Sequence, residues 1–390
     1  MRVTLLFLLI FAVSGLFAQE TPVLDYPQPE YVNPIYDCYS HNYLSTRAMG
    51  RGNTGAALIG AVDHLLLNPA GYLPEKGSLH LELLVKPQID NNYYRPEVNY
   101  NSPIPIGSAG FGGKLGGDFS GALLYSNPKS ISVDDFQVPM NFGYYIYRFI
   151  TTFNLQQITA NLGWHKGNWN LGLNLNNQIY YVDEPVIMGS FEKQRDYKYF
   201  LRPQLGVLYS TDLLGAGITF TPPTNADWDF KFVKYDSLLP LQLTLGGALN
   251  FNANCLAADL DYENTAAISD QFSDRLRVKL GWEKTVRRFT YRLGYIYSPE
   301  VWSGTYRLPE GSYDVASGDS IWWNPLPRTG VVSENNQHLL TAGTTWKHRD
   351  IEINLSGLMD VGGKAELAHV GVSVDLYFSA FKKKGFLYFD

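Results

Sequence analysis

The chain is poor in features that mark many soluble enzymes, disulfide-rich secreted proteins and nucleic-acid-binding proteins. Its 390 residues hold two cysteines, Cys38 and Cys255, too few for a disulfide framework; whether these two pair is left open by the sequence. Charged residues make up 17% and the formal net charge is −6, with no long basic block, which argues against nucleic acid as a partner. The histidines, His41, His64, His80, His165, His338, His348 and His369, are scattered. None forms an H-E-x-x-H motif or stands at zinc-finger spacing from a cysteine, so neither a metal site nor a cofactor is expected. No Gly-x-Ser-x-Gly elbow supports a serine hydrolase, and an enzyme is not expected.

Long apolar runs are missing too. The longest near the start, Leu5 to Val13, follows Arg2 and leads into Ser14-Gly15-Leu16-Phe17-Ala18-Gln19. It is too short for a transmembrane helix and fits a secretory signal peptide over residues 1–18, cut after Ala18. Cleavage after Gly15 is the alternative, because Leu16 is larger than the residue preferred three places before a cut. No cysteine follows either cut, so a lipid anchor is not expected.

Gly50-Arg51-Gly52-Asn53-Thr54-Gly55 satisfies the G-x-G-x-x-G spacing of a dinucleotide-binding loop. That loop requires a buried strand before it and an acidic residue about 20 positions on. His41 to Arg47 is not an apolar strand and Asp63 comes too early, so a nucleotide site is not expected.

Aromatic residues are abundant, with 27 Tyr, 21 Phe and 8 Trp. From Ser78 onward the governing pattern has period two. Trp169, Leu171, Leu173 and Leu175 alternate with Asn170, Gly172, Asn174 and Asn176, and Leu256, Ala258, Leu260 and Tyr262 alternate with Ala257, Asp259, Asp261 and Glu263. Such alternation gives strands with one apolar face. About 14 segments of this kind begin near residues 78, 107, 118, 155, 168, 200, 213, 240, 255, 275, 287, 336, 350 and 366, most close to the length of a tilted transmembrane strand. Tight turns near 117, 166, 211, 253, 285 and 348 alternate with longer links around 89–106, 128–154, 182–199, 223–239, 264–274 and 298–335. Short turns on one side and long loops on the other mark an outer-membrane barrel. Trp164, Trp169, Tyr180, Tyr181, Trp282 and Trp346 stand near strand ends, where an interfacial girdle belongs. A secreted soluble β-sandwich also alternates, but it explains neither the rhythm of the links nor the girdle. The expected fold is all-β, a transmembrane antiparallel β-barrel of about 14 strands with an N-terminal plug. Asn141 to Phe149, with Tyr144, Tyr145 and Tyr147, is assigned to an outside loop to keep the strand count even.

A barrel of this size has a lumen that its wall side chains do not fill. Residues 19–77 are available to fill it as a plug, with the barrel over 78–378 and a periplasmic tail over 379–390. Within the plug a short helix is expected over Ala56 to Leu67, presenting Ala57, Leu58, Ala61, Leu65 and Leu66 on one face and ended by Asn68-Pro69. Two charged rows, Asp259, Asp261 and Glu263 against Arg275, Arg277 and Lys279, are expected to pair across neighbouring strands inside the lumen, because charge on the lipid face is costly.

Arg47-Ala48-Met49-Gly50-Arg51-Gly52, then Gly55-Ala56-Ala57, Asp63 and Asn68-Pro69-Ala70-Gly71 resemble the N-terminal hatch of the FadL/TodX outer-membrane transporters of hydrocarbons and fatty acids. The likeness is local, about 25 residues; beyond it only the 14-stranded plan matches. His64, Leu65, Leu66 and Leu67 depart from the family's residues between the acid and the Asn-Pro, and the chain ends on Asp390 where many such barrels end on an aromatic residue. The resemblance implies transport of hydrophobic compounds, long-chain fatty acids or hydrocarbons, across the outer membrane of a Gram-negative bacterium. It implies outer-membrane lipids, a hydrophobic or lipid substrate and the barrel assembly machinery as partners. Met49, Gly50, Gly52, Gly55, Asp63, Asn68, Pro69, Ala70 and Gly71 would then be the gating residues of the plug. The alternative within the same resemblance is a barrel acting as a partner or scaffold of a type IX secretion system.

Overall fold

The computed structural model describes residues 45–74, 77–85, 98–99, 106–139, 146–188, 190–229, 234–268, 272–299, 301, 305–306, 310–312, 322–324, 330–331, 336–361 and 368–378. The expected leader, Cys38, Tyr144, Tyr145 and the expected tail lie outside them. Cys255 is a free thiol.

The wall strands are β1 (Gly77–Val85), β2 (Ile106–Gly116), β3 (Phe119–Pro139), β4 (Ile146–Lys166), β5 (Trp169–Met188), β6 (Ser190–Ser210) and β7 (Leu214–Thr221). They continue as β8 (Gln242–Phe251), β9 (Asn254–Glu263), β10 (Arg275–Val286), β11 (Phe289–Ser298), β12 (Gln337–His348), β13 (Ile351–Asp360) and β14 (Ala368–Phe378). Each pairs antiparallel with the next, and β14 returns to β1 in a register that sets Gly77 opposite Phe378. The ring is a closed barrel of 14 strands, and its first and last strands both reach the same rim. None of the described helices is long and apolar enough to cross a membrane; the chain crosses with strands.

The side-chain alternation has the sense required by lipid outside and polar groups inside. On β9, Leu256 and Leu260 are exposed while Asp259 and Asp261 are buried. On β13, Ile353, Leu355 and Met359 face out, and Glu352, Asn354 and Ser356 are buried. Exposed leucines recur around the ring at Leu79, Leu81, Leu171, Leu205, Leu245, Leu280, Leu293 and Leu340.

At one rim the strands join by tight turns. Gly117, Gly167, Asn252, Arg287 and Arg349 have φ between 52° and 59°, the left-handed conformation that two-residue hairpins demand. Aromatic side chains gather there: Trp169 lies 4.9 Å from Tyr209 between ring centroids, and Trp346 stacks on His348 at 5.6 Å. The other rim differs from expectation. The spans 128–154 and 182–199, expected as loops, are mostly strand: β3 and β4 stay paired out to Pro139 opposite Ile146, and β5 and β6 out to Met188 opposite Ser190. Ile146 to Phe149 therefore belongs to β4 and not to a loop. A bilayer needs only about 9 to 11 tilted residues, so these four strands of 20 or 21 residues project beyond it. Outside lipid neither face has to be apolar, and the alternation fades while the backbone ladder continues.

A cation placed on the lipid face tests this orientation. Leu245→Arg on β8 is expected to cost roughly 2 to 4 kcal/mol if it sits near the bilayer midplane, measured by denaturant unfolding in lipid vesicles. A change smaller than about 0.5 kcal/mol would contradict the outward placement of Leu245.

Candidate functional site

The luminal side of the wall is occupied by residues 45–72. The segment begins with α1 (Thr46–Met49), capped by Ser45, whose Oγ accepts from the Ala48 N–H at 3.1 Å. A 3-10 turn follows at Val62–Leu66, and another at Pro69–Gly71 is capped by Asn68, whose Oδ1 accepts from the Ala70 N–H at 2.9 Å. No α-helix forms over Ala56 to Leu67, unlike the expectation. The Gly55 and Ala56 N–H groups donate instead to Asp259 on β9 at 2.7 and 3.0 Å, Asn68 Nδ2 donates to Ala56 O, and Gly60 forms a parallel bridge with Tyr72. Ala56 O and the Gly60 N–H, which a helix would have paired with each other, thus bond to the Asn68 side chain and to Gly71 O instead.

The segment's contacts pass around the ring strand by strand. Starting at the β14–β1 seam, the Thr46 N–H donates to Glu82 on β1, and Arg47 Nη2 donates to Glu352 on β13 at 2.8 Å and Asp375 on β14 at 2.7 Å. The Gly52 N–H donates to Thr341 Oγ1 on β12 at 2.9 Å, and Arg51 reaches Glu283 on β10 at 3.3 Å. Beyond Asp259, Asn174 on β5 donates to Leu65 O at 2.7 Å and Asn161 on β4 to Pro69 O at 3.1 Å. Tyr72 Oη then meets Ser78 Oγ at 3.1 Å, back on β1.

This close fit requires a wall without side chains where the segment lies. A methyl group added to Gly217 on β7 would come within 1.8 Å of Ala56 O, one on Gly294 of β11 within 1.9 Å of Gly52 N, and one on Gly172 of β5 within 2.2 Å of Pro69 C. Gly206 on β6 and Gly281 on β10 are blocked in the same way by Asn68 and Arg51. Several of these glycines are direct cross-strand partners, Gly172 with Gly206, Gly217 with Gly246 and Gly281 with Gly294, so the gaps form a belt in register.

The residues expected to gate the plug all lie in this segment. Met49 is fully buried with Leu84, Ile296, Leu339 and Leu358. Gly50 rests on Gly343 and Ser356, while Gly52 has φ 68° and its Cα faces Leu280 O and Tyr295 N. Gly55 donates to Asp259, and Asn68, Pro69, Ala70 and Gly71 form the buried turn against β4, β5 and β6. Gly50 to Gly55 therefore presses on the wall instead of forming a free phosphate cradle. Asp63 is buried near His80 and Asp375, with potential ligand atoms of the three within 4.8 Å of one another. Both His80 nitrogens are engaged, Nδ1 with Asp375 at 2.7 Å and Nε2 with Ser108 at 2.9 Å, and Asp375 also accepts from Arg47. The arrangement is an ion-pair network that joins segment to wall.

The two charged rows do pair across β9 and β10. Register sets Asp259, Asp261 and Glu263 opposite Lys279, Arg277 and Arg275, with Arg275 at 3.0 Å from Glu263 and Arg277 at 3.2 Å from Asp261. Sequence reasoning missed Arg47, Arg51, His64, Glu82, Glu283, Glu352 and Asp375 as parts of the site. The glycines at strand centres were the available signal, because glycine within a strand marks close approach by another backbone.

A closed 14-stranded barrel with an apolar exterior and an N-terminal segment along its luminal wall defines the class: an outer-membrane β-barrel. Among solved structures, the toluene transporter TbuX of Ralstonia pickettii matches with a TM-score of 0.62 at 11% identity, over 87% of this chain and 100% of that one. The toluene transporter TodX of P. putida matches with 0.59 at 13% identity, over 87% and 100%. A FadL homologue of Pseudomonas aeruginosa gives 0.54 at 12% identity, over 85% and 98%. At these identities the likeness is one of fold, the FadL/TodX-type barrel. No family model matches the sequence, and no significant match to a curated protein is found.

Two outcomes follow for the seat. With Cys38 and Cys255 replaced by serine and Thr54, which is fully buried, replaced by cysteine, a membrane-impermeant maleimide should label the otherwise unaltered protein slowly. Gly217→Val or Gly294→Val should raise that rate at least about tenfold by displacing the segment; equal rates would refute the tight seat. The second concerns His64, whose Nε2 donates to Gly55 O at 2.8 Å and whose Nδ1 accepts from Arg51 at 3.4 Å. Burial, then the Arg51 guanidinium, holds this imidazole down at about 4. Because the released imidazole titrates near about 6.5, the seated state loses stability as pH falls from that value through about 4. Labelling should accelerate across this window, and His64→Gln should flatten that part of the profile.

Proposed function

We propose that the protein is an outer-membrane channel for hydrophobic compounds in which residues 45–72 act as the plug. The observation that carries this reading is the luminal segment itself, tied to the wall from β1 to β14 inside a barrel with the fold of toluene transporters. Long-chain fatty acids and hydrocarbons are the proposed solutes. The projecting ends of β3 to β6 stand on the outside, where a poorly soluble molecule first meets the protein, and passage requires the segment to shift from its glycine seat.

Deleting residues 43–73 while keeping residues 1–18 should convert a nearly non-conducting barrel into an open pore in planar bilayers. Asn68→Ala with Pro69→Ala should give an intermediate, fluctuating conductance by loosening the 68–71 turn. The intact protein should also take labelled long-chain fatty acid or toluene into cells behind a lipopolysaccharide layer. An intact protein that conducts like an open porin, with no change on deletion, would sink the plug.

The density of ties on the segment also supports a second reading, a permanently sealed barrel that serves as a partner or scaffold in type IX secretion. Stable co-purification with secretion components, together with no uptake of any apolar solute, would favour it.

A further inference from the structure

The tight turns of the short-turn rim differ in charge from one side of the barrel to the other. Those joining β2 to β3, β4 to β5 and β6 to β7 carry Lys114, Asp118, Lys166 and Asp212, and the β8–β9 turn at Asn252 and Ala253 is uncharged. The next two turns are basic. Lys284, Arg287 and Arg288 stand where β10 turns into β11 and Arg349 where β12 turns into β13, all four exposed, and Asp350 is the one acid in either turn. The nearby carboxylates Glu283 and Glu352 serve the luminal face, where they hold Arg292 and Lys347 at 2.7 Å each. Among the described residues no ion pair joins Lys284, Arg287, Arg288 or Arg349 to an acid.

The two turns form one surface. The Lys347 N–H donates to Arg288 O at 2.8 Å, and the Arg288 guanidinium meets His348 Nδ1 at 3.1 Å. Toward the membrane lies an outward row in which Val286 pairs with Phe289, Phe289 with Trp346 and Trp346 with Ile353, all exposed. Lys284 shares this outward face, opposite the exposed Tyr291. Aromatic side chains at such a rim mark the level of the lipid headgroups. The cations lie within two or three residues of them along the chain, a rise of roughly 7 to 10 Å, and so stand at the depth of lipid phosphates.

Backbone conformation supplies a second, independent sign. Arg287 and Arg349 have φ of 56° and 52°, where Gly117, Gly167 and Asn252 serve the other turns. Glycine and asparagine enter this region with the least strain, and arginine held there points to a use for its side chain beyond the turn.

We infer that these two turns form a binding site for an anionic phospholipid of the periplasmic leaflet, its phosphate held by Lys284, Arg287, Arg288 and Arg349 and its acyl chains lying on Phe289, Tyr291 and Trp346. Guanidinium groups match phosphate oxygens in geometry as well as charge. The surplus of cations selects a headgroup of net negative charge, because the ammonium of a zwitterionic lipid meets repulsion from the same side chains. A soluble acidic partner has no apolar part to cover the aromatic row. The inference goes beyond the channel reading and stands or falls without it.

The test uses the intact protein, delipidated in neutral detergent micelles, and native mass spectrometry to follow the first molecule bound. Dioleoylphosphatidylglycerol should bind at least about tenfold tighter than dioleoylphosphatidylethanolamine. Glycerol 3-phosphate and hexaglutamate, which carry charge without acyl chains, should bind at least about tenfold more weakly than phosphatidylglycerol. Arg287→Asn with Arg349→Asn should weaken phosphatidylglycerol about tenfold while the temperature of heat-modified gel migration does not fall, since asparagine accepts the same backbone at Asn252. Arginines with a purely structural role would give the reverse, a lower temperature and unchanged binding. If that variant does not fold, Lys284→Gln with Arg288→Gln, at positions without left-handed backbone, decides by the same tenfold loss. Lys114→Gln with Lys166→Gln, on distant turns, should bind as the parent does. The inference is overturned if the two lipids bind alike, if glycerol 3-phosphate or hexaglutamate binds as tightly as phosphatidylglycerol, if the folded variant of the basic turns keeps the parent's affinity, or if the Lys114 and Lys166 variant loses as much.

Discussion

Inside a bilayer there is no water to satisfy backbone N–H and C=O groups, and every unpaired one is costly. The constraint shapes this protein twice. It closes the 14 strands into a ring with no free edge, and the ring then encloses a space that must itself be filled or wetted. The segment that fills it is mostly irregular backbone, so its own polar groups need partners too. They find them on the wall, in Glu82, Asp259, Thr341, Asn161 and Asn174. An inward face that looks merely hydrophilic is a set of hydrogen-bonding partners matched to one particular stretch of chain.

Charge follows the same logic. Arg47 pairs with buried carboxylates on β13 and β14, and Arg51 reaches Glu283, which also accepts from Arg292 at 2.7 Å. Removing one member of such a buried network leaves the others uncompensated, a loss of about 3 to 5 kcal/mol for a simple pair. Luminal segment and wall therefore constrain one another's substitutions, more tightly than packing alone would require.

How much of this could be read from residues depended on which forces leave a local trace. Alternation driven by lipid is local, so the strand starts near 78, 107, 255, 275 and 350 lie within two residues of those observed. Turn chemistry is local too, and the tight turns stand where they were expected. The outer halves of β3 to β6 were misread as links because only their backbone pairing, a non-local property, identifies them. The helix expected over Ala56 to Leu67 failed for a related reason: its apolar spacing was real, but Asn68 takes the Ala56 carbonyl and Gly71 O takes the Gly60 N–H, the pair its first turn would have joined. Pairing of Asp261 with Arg277 was legible because adjacent strands present both rows on one face. The nest around Arg47 was not, since Glu352 and Asp375 stand more than three hundred residues away.

Arg47 and Thr46 have a consequence for how the barrel comes to be closed. They touch β1, β13 and β14 together, across the seam where the chain's last strand meets its first. The seam is thus joined from within by residues made before any strand, and their binding sites are complete only when the final hairpin arrives. The contacts of Thr46 with β1 and of Arg47 with β13 and β14 are thus all present together only where the ring is closed.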